Sequence, residues 1–263
     1  MLETYPIPIP EKLPVRINPC PIVEAIFEIR FTSSGPKEAT IPGLLYAQIR
    51  DKYPEEKRLP IADVPEEIRR KEPAMTHLPV THYISPDFVI QIGPRAVSLA
   101  TKANAYPGWT AIERELRWML ERVQAAGFVS EGERLGVRYI DFFAEDIFQN
   151  LILNLKVGER PVGGVETAVT TILRRGEMSL RLQLSNSAIV ERPKGQEKGS
   201  ILDVDASFGA LDFEVFENSL TRFGEAHRAI KELFFGLLRP EYFATLNPEY
   251  ESNEHTRSIT GNG

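Results

Sequence analysis

The sequence predicts an α+β protein in which antiparallel strands form a sheet and a few long helices cover one of its faces. Two observations support this fold class. Several segments alternate apolar and polar residues with a period of two, which is typical of strands with one buried and one hydrated face. Two other segments place apolar residues three and four positions apart, which is typical of amphipathic helices.

The first half of the chain contains two strand regions and two helices. Residues 1–20 are rich in proline, which fixes φ and cannot donate to a ladder, so we expect an extended arm. The strand "PIVEAIFEIRF" places Ala25 and Phe27 on one side and Glu24 and Glu28 on the other. There follow a short helix in "TIPGLLYAQIRDKYP", a surface excursion over about residues 51–73 with a helical turn at "PEEIRR", a hairpin in "DFVIQIGPRAVSLATKA" and a long helix in "YPGWTAIERELRWMLERVQAAGF".

The second half repeats this order of elements. The expected order is a strand in "ERLGVRYIDFFA", a short helix in "EDIFQNLILNL", a loop at "GERPVGG", a hairpin in "VETAVTTILRRGEMSLRLQLSNSAIV", a polar loop at "ERPKGQEKGS", a strand in "GSILDVDASFG" and a long helix in "FEVFENSLTRFGEAHRAIKELFFGLL". The final residues, "NPEYESNEHTRSITGNG", are polar, and we expect disorder at their end.

These elements predict two similar β-α-β(n)-α units, at residues 21–132 and 133–245, between the arm at 1–20 and a tail at 246–263. Side by side, the units would form one curved antiparallel sheet with the long helices on one face. The arrangement resembles the duplicated architecture of the TATA-binding protein. A shared architecture says little about function, so the analogy is limited to the fold.

Composition excludes some classes of function. The 263 residues carry a formal net charge of −6, whereas non-specific nucleic-acid binding relies on clustered Lys and Arg, so nucleic acid is not the favoured partner. An acidic surface fits a basic protein partner or no charged partner. No apolar run approaches the roughly 18 residues of a membrane span, and no signal peptide is evident, so we expect a cytoplasmic protein. The single cysteine, Cys20, excludes an internal disulfide framework.

Two aspartates stand out in "ILDVDASF". Asp203 and Asp205 share a strand face opposite the apolar residues, and two carboxylates are a start for a hard divalent cation. Such a site needs further acidic ligands, for which only Glu24 and Glu28 are candidates. The favoured alternative is a hydrated or partner-facing strand with neighbouring counter-charges, which we expect to be Arg138 and Arg181.

His227 lies within the apolar stripe of the last long helix, beside Phe223, Ile230 and Phe234. Histidine can act as a base or a pH switch near neutrality. A lone histidine on a core face is more often packed, with its ring nitrogens satisfied, and this interpretation is favoured. The sequence also lacks phosphate-binding glycine loops, zinc-protease motifs and nucleophile elbows, so no cofactor or metal is predicted.

Five segments in order carry a family resemblance: "NPCPIVEAIFEIRF", "YPGWTAIERELRWMLE", "ERLGVRYIDFF", "ILDVDASF" and "EAHRAIKELFFGLLRPE". The chain resembles a sporadically distributed bacterial and archaeal family of about this length without assigned catalytic residues. A sporadic distribution implies horizontally transferred genes, as in defence or toxin–antitoxin systems. The resemblance implies a set of recurring positions: Pro21, Glu24, Tyr106, Trp109, Arg138, Tyr139, Asp203, Asp205 and His227.

Three functions follow as hypotheses. The favoured one is a non-enzymatic binding or adaptor protein that engages a protein partner, or a second copy of itself, through the polar sheet face or the arm. The second is a divalent-metal-dependent enzyme acting on a nucleotide or nucleic acid with Asp203 and Asp205. The third is a small-molecule sensor with its ligand between sheet and long helices, near His227 and Arg138, and a large internal cavity would favour it.

Overall fold

The computed structural model describes residues 9–35, 37–161, 166–192, 195–209 and 215–251. The expectations for the first eight residues of the arm, for the last three residues of the "GERPVGG" loop and for the end of the tail therefore lie outside the described residues.

Nine strands form one antiparallel sheet, and two short strands form a separate pair. The strands are β1 (Ile22–Thr32), β2 (Glu55–Arg58), β3 (Thr81–Ile84), β4 (Phe88–Ile92), β5 (Ala96–Thr101), β6 (Glu131–Phe143), β7 (Lys156–Val157), β8 (Arg160–Pro161), β9 (Ala168–Arg175), β10 (Met178–Arg192) and β11 (Gly195–Phe208). The order in the large sheet is β2-β3-β4-β5-β1-β6-β11-β10-β9, and β7 pairs with β8. The predicted α+β class with an antiparallel sheet is confirmed.

The described residues also form five α-helices: α1 (Ile41–Ile49), α2 (Glu66–Lys71), α3 (Trp109–Ala126), α4 (Val215–Leu237) and α5 (Pro240–Thr245). The helix α3 ends at Gly127, whose φ of +67° lies in the left-handed region that glycine adopts without strain. Across the described ranges, no helix is both long enough and apolar enough to cross a membrane.

The core lies between one face of the sheet, called the inner face, and the helices. Phe27 on β1 is fully buried, and its ring centroid lies within 6.0 Å of those of Trp109, Tyr139 and Phe223. On β10, the predicted alternation is confirmed, because every second side chain is buried: Met178, Leu180, Leu182 and Leu184. On β11, the predicted dry side is also confirmed by the burial of Leu202, Val204, Ala206 and Phe208.

Two local predictions were wrong and one was incomplete. The polar loop predicted at "ERPKGQEKGS" is largely strand, because β10 continues to Arg192 and β11 starts at Gly195. The surface excursion has the predicted helical turn, α2, and in addition the edge strand β2, which pairs with β3. The short helix predicted in "EDIFQNLILNL" is a single 3-10 turn, Ile147–Asn150, because Leu151 leaves it to form a β-bridge with Leu238.

Candidate functional site

A cavity of about 440 Å³ opens between the sheet and the C-terminal half of α4. We call it the inner cavity. The strand β6 contributes Tyr139 and Asp141 to its wall, and α4 contributes His227 and Lys231. The segment leading into α3 and the N-terminal arm close the remaining sides, with Tyr106, Trp109 and residues 14–22.

Strand and helix periodicity bring these side chains together. Tyr139 and Asp141 are two residues apart on β6 and therefore share the inner face, where they pair in register with Val204 and Leu202. His227 and Lys231 are four residues apart on α4 and therefore share a side of the helix. The strand β6 and the helix α4 run in the same direction. Tyr139 contacts His227, and later on both elements Phe143 stacks on Phe234.

A hydrogen-bonded chain lines one side of the inner cavity. The hydroxyl of Tyr106 lies 3.4 Å from that of Tyr139, and the Tyr139 hydroxyl lies 2.8 Å from Nδ1 of His227. The Trp109 ring stacks on the imidazole at a centroid distance of 4.2 Å with an interplanar angle of 5°. The His227 ring is thus held by a tryptophan face and a tyrosine hydroxyl while it borders the cavity.

Burial sets the charge state of this chain. It lowers the pKa of His227 to about 3, with a smaller contribution from the positive charge of Lys231. Burial also raises the pKa of Tyr106 to about 12, and it raises the pKa of Tyr139. All three groups are therefore neutral near pH 7, and they offer hydrogen bonds without a net charge.

Asp141 is the most unusual group of the cavity wall. The residue is only 3% exposed, and no hydrogen bond or ion pair to its carboxyl group is found among the described residues. Burial, followed by the nearby charge of Asp203, raises the pKa of Asp141 to about 8. A buried carboxyl group without a partner is costly, so a partner supplied from outside the chain would be favourable there.

Lys231 lies on the same wall as His227, one helical turn further along α4. It is half-buried, and burial lowers its pKa, while the charge of Glu251 opposes that change. Within the part of the chain that the structure describes, Lys231 forms no ion pair. The inner cavity therefore contains one acidic group, Asp141, and one half-buried basic group, Lys231, which form no ion pair within the described residues, while the exposed Arg16 of the arm also borders it.

Backbone hydrogen bonds join the arm to the C-terminal residues 246–249 and to the strand β6. The Val15 amide donates to the Glu249 carbonyl and the Asn18 amide to the Leu246 carbonyl, both at 2.7 Å. The Phe142 amide donates to the Pro21 carbonyl at 2.9 Å. The arm thus forms a wall of the cavity and is held there by hydrogen bonds to tail residues 246 and 249 and to β6.

The other face of the sheet, the outer face, carries the predicted carboxylates. Arg138 binds Asp203 in a bidentate manner, with distances of 2.9 Å to Oδ1 and 2.6 Å to Oδ2. Arg134 bridges Glu28 at 2.9 Å and Asp205 at 2.6 Å, and Arg181 contacts Asp205 at 3.4 Å. We call this set the outer-face network: Glu28, Arg134, Arg138, Arg181, Asp203 and Asp205.

The outer-face network bears on the metal hypothesis. Asp203 and Asp205 are each held by guanidinium groups, which compete with a cation for the carboxylate oxygens. Glu24 lies on the same face, and burial raises its pKa while the charge of Arg138 opposes the change. Among residues 9–35, 37–161, 166–192, 195–209 and 215–251, no group of three or more His, Cys, Asp or Glu is placed to hold a metal ion.

The structure thus separates the predicted site residues. Glu24, Glu28, Arg138, Arg181, Asp203 and Asp205 lie on the outer face, whereas His227 lies in the inner cavity. The third hypothesis placed Arg138 beside the ligand, but its guanidinium is held by Asp203 across the sheet from the cavity. Sequence reasoning missed Asp141, Lys231 and Arg134 as site residues. A signal for Asp141 exists, since it occupies a dry position in the alternation of "LGVRYIDFF".

A second hollow, of about 540 Å³, lies outside the core between α3 and α4. Its wall includes the exposed charged side chains of Arg117 and Glu121. Water hydrates exposed charges of this kind. They have no need of a ligand as a partner, in contrast to the buried Asp141 carboxyl of the inner cavity.

Comparison with known proteins adds no functional information. No protein-family model matches the chain, and no curated protein matches it.

Proposed function

We propose that the protein binds a small molecule in the inner cavity. The observation that supports this function is the buried Asp141 carboxyl, which faces the cavity and has no partner among the described residues. A group of this kind destabilises the empty protein and is compensated when a ligand supplies a hydrogen-bond donor or a positive charge.

The composition of the wall supports the same proposal. Ligand sites are typically clefts of about 300–1,000 Å³ with apolar and aromatic walls and a few fixed polar groups, and a cavity of about 440 Å³ lies in that range. Aromatic side chains come from three elements, and hydrogen bonds hold three of the polar groups in position: the hydroxyls of Tyr106 and Tyr139 and the imidazole of His227. This arrangement favours binding and sensing.

Tryptophan fluorescence offers a direct test, because the chain has two tryptophans and only Trp109 lines the inner cavity. Trp118 stacks on Tyr53 instead, at a centroid distance of 5.7 Å. In the Trp118→Phe variant, a panel of amino acids, nucleosides, organic acids and amines is titrated while the emission of Trp109 is recorded. We expect saturable changes with at least one class. The matched control is Trp109→Phe, whose remaining tryptophan should not respond.

The single thiol gives a second readout. Cys20 is exposed and borders the inner cavity, so a bound ligand should slow its alkylation by iodoacetamide. The control is alkylation of the same protein in denaturant, where the ligand should give no protection. If no member of the panel changes the Trp109 emission or the rate of Cys20 alkylation, the proposed function is wrong.

A second proposed function is the binding of a protein partner at the outer face. It is supported by the outer-face network, in which ion pairs hold guanidinium groups in fixed positions while Arg138 and Arg181 keep 40% and 45% of their side chains exposed. Ordered arginines of this kind are frequent in interfaces. A partner encoded in a defence or toxin–antitoxin locus would fit the family resemblance. Co-purification with the products of neighbouring genes tests it, with Arg138→Glu and Arg181→Glu as variants that should lose the partner.

We also propose that the two halves of the chain are equivalent units. The central strands β1 and β6 are neighbours, and each is paired on its other side with the last strand of a later meander, β5 or β11. A long helix, α3 or α4, follows each meander. This order supports the duplicated arrangement that resembles the TATA-binding protein.

A further inference from the structure

We propose that the ligand of the inner cavity is a small zwitterion of the amino-acid type, whose ammonium group pairs with Asp141 and whose acidic group pairs with Lys231. This inference depends on the proposed small-molecule function and extends it to the ligand's chemistry.

Asp141 and Lys231 occupy matching positions on the strand and on the helix that border the cavity. Tyr139 and His227 are in direct contact, and Asp141 and Lys231 follow them by two strand residues and by four helix residues. These steps correspond to about 6.6 Å along a strand and about 6 Å along a helix. Because β6 and α4 run in the same direction here, Asp141 and Lys231 lie at the same level, on opposite walls of the cavity.

Asp141 and Lys231 do not neutralise each other. They line one cavity, yet no ion pair joins them. Burial is the largest cause of both pKa shifts: it raises the pKa of Asp141 and lowers the pKa of Lys231, so it favours the neutral form of each group. A molecule with both charges compensates both groups at once, whereas a ligand with a single charge leaves one of them unpaired.

Aromatic rings of the wall suit the uncharged part of the ligand. The rings of Tyr106, Trp109, Phe234 and Phe235 border the same cavity, so an apolar or aromatic side chain finds a matching surface between the charged ends. Free amino acids combine these features. Nucleotides do not, because they carry several negative charges and no positive group for the buried Asp141 carboxyl, although Lys231 and the exposed Arg16 both border the cavity.

The test uses the full chain with the Trp118→Phe substitution and isothermal titration calorimetry beside Trp109 emission. The common L-amino acids are titrated, and each binder is compared with its decarboxylated amine and its deaminated acid. For phenylalanine, these probes are 2-phenylethylamine and 3-phenylpropanoate, and 2-phenylethanol serves as the neutral probe. We expect an amino acid to bind more tightly than either of its singly charged analogues.

Two substitutions test the two charged ends of the ligand separately. Asp141→Asn should weaken binding of the amino acid and the amine by about 30-fold or more, and it should leave the acid unaffected. Lys231→Met should weaken the binding of the amino acid and of the acid to a similar degree, and it should leave the binding of the amine unaffected. The matched controls are Glu24→Gln, a carboxyl group on the outer face, and Lys198→Met, an exposed lysine on β11. Neither control should alter the affinity.

The outcomes are distinguishable. If the amine or the acid binds as tightly as the amino acid, or if both cavity variants bind like the unsubstituted protein, the zwitterion inference is wrong. If 2-phenylethanol or another panel member binds in the cavity while no amino acid does, the inference fails and the proposed function stands. If neither these probes nor any panel member changes the Trp109 emission or the rate of Cys20 alkylation, both fail.

Discussion

Replacing Asp141 with Asn tests the central feature of the inner cavity. The substitution keeps the size of the side chain and removes its charge. In the ligand-free protein, the folded state holds the carboxyl group protonated up to pH about 8, because burial raises its pKa from 3.8 to about 8. The unfolded chain releases that proton near pH 4. Between these two values the folded state binds more protons than the unfolded state, so stability falls as the pH rises.

The magnitude follows from the pKa difference. One pKa unit corresponds to 1.36 kcal/mol, so the free energy of unfolding should fall by about 1.4 kcal/mol per pH unit between pH 4 and pH 8 because of this carboxyl group. At pH 7 the accumulated cost is about 4 kcal/mol, and the Asn variant does not bear it. We therefore expect Asp141→Asn to be more stable than the unsubstituted protein at pH 7 by an amount of this order, and to lose the advantage near pH 4.

His227 contributes the opposite trend at lower pH. Burial lowers its pKa from 6.5 to about 3, so the unfolded chain binds a proton that the folded state does not, and stability rises with pH between about 3 and 6.5. In the unsubstituted protein the two trends oppose each other between pH 4 and pH 6.5. In the Asn variant the histidine trend should become visible as stability that rises through this range.

The assay is urea denaturation at pH intervals from 4 to 8, with the difference in unfolding free energy between the two proteins plotted against pH. Glu121→Gln, an exposed carboxyl on α3, is the control and should give a difference close to zero throughout. A difference between the unsubstituted protein and Asp141→Asn that does not change from pH 5 to pH 8 would refute the reasoning, because the carboxyl group would then titrate alike in both states.

Three further substitutions probe the supports of the fold, each by thermal and urea denaturation. Arg138→Met removes the bidentate partner of the buried Asp203 carboxylate and should lower the unfolding free energy by about 2 kcal/mol; an unchanged value would mean that water replaces the guanidinium. Glu115→Gln weakens the buried acceptor of Tyr53 and the ion pair with Lys52, and should cost about 1–3 kcal/mol without affecting cavity binding. Gly136→Ala places a methyl group where the Arg134 guanidinium lies and displaces the guanidinium from Glu28 and Asp205, so it should lower the unfolding free energy by about 1 kcal/mol. In an Arg134→Met background, the same substitution should not change the unfolding free energy.

The sequence predicted the strands whose two faces differ, and it failed where both faces are alike. Along β10 the buried leucines alternate with polar residues as far as Leu184, and there the prediction was correct. The predicted hairpin ended at Val190, and the segment predicted as a loop, residues 191–200, has no aliphatic or aromatic side chain apart from its proline, so no period of two is visible there. The edge strand β2, with the sequence EEKR, is exposed at every position and has no apolar residue at all. Its strand structure comes from pairing with β3, which local composition cannot reveal.

The candidate site was only partly predictable for a related reason. The alternation placed Asp203 and Asp205 on the face opposite the core, and the structure puts them there. Which guanidinium each would meet depends on the register between β11 and β6, which a single sequence does not specify. His227 was identified through its position in an apolar stripe. Its cavity depends on the arm, whose hydrogen bonds to residues 246–249 join segments more than 200 positions apart in the chain.

The comparison of Asp141 with Asp203 supports a ligand-binding role for the inner cavity. Both carboxyl groups are less than 10% exposed, and they lie on adjacent strands one position apart in register. The fold provides Asp203 with a bidentate arginine, and it provides Asp141 with aromatic rings and open space. The cost of about 4 kcal/mol at pH 7 is a large part of the roughly 5–15 kcal/mol by which folded proteins are stable. A ligand with a positive group would offset this cost, so saturating ligand should stabilise the protein most at the pH where the empty protein is weakened by Asp141.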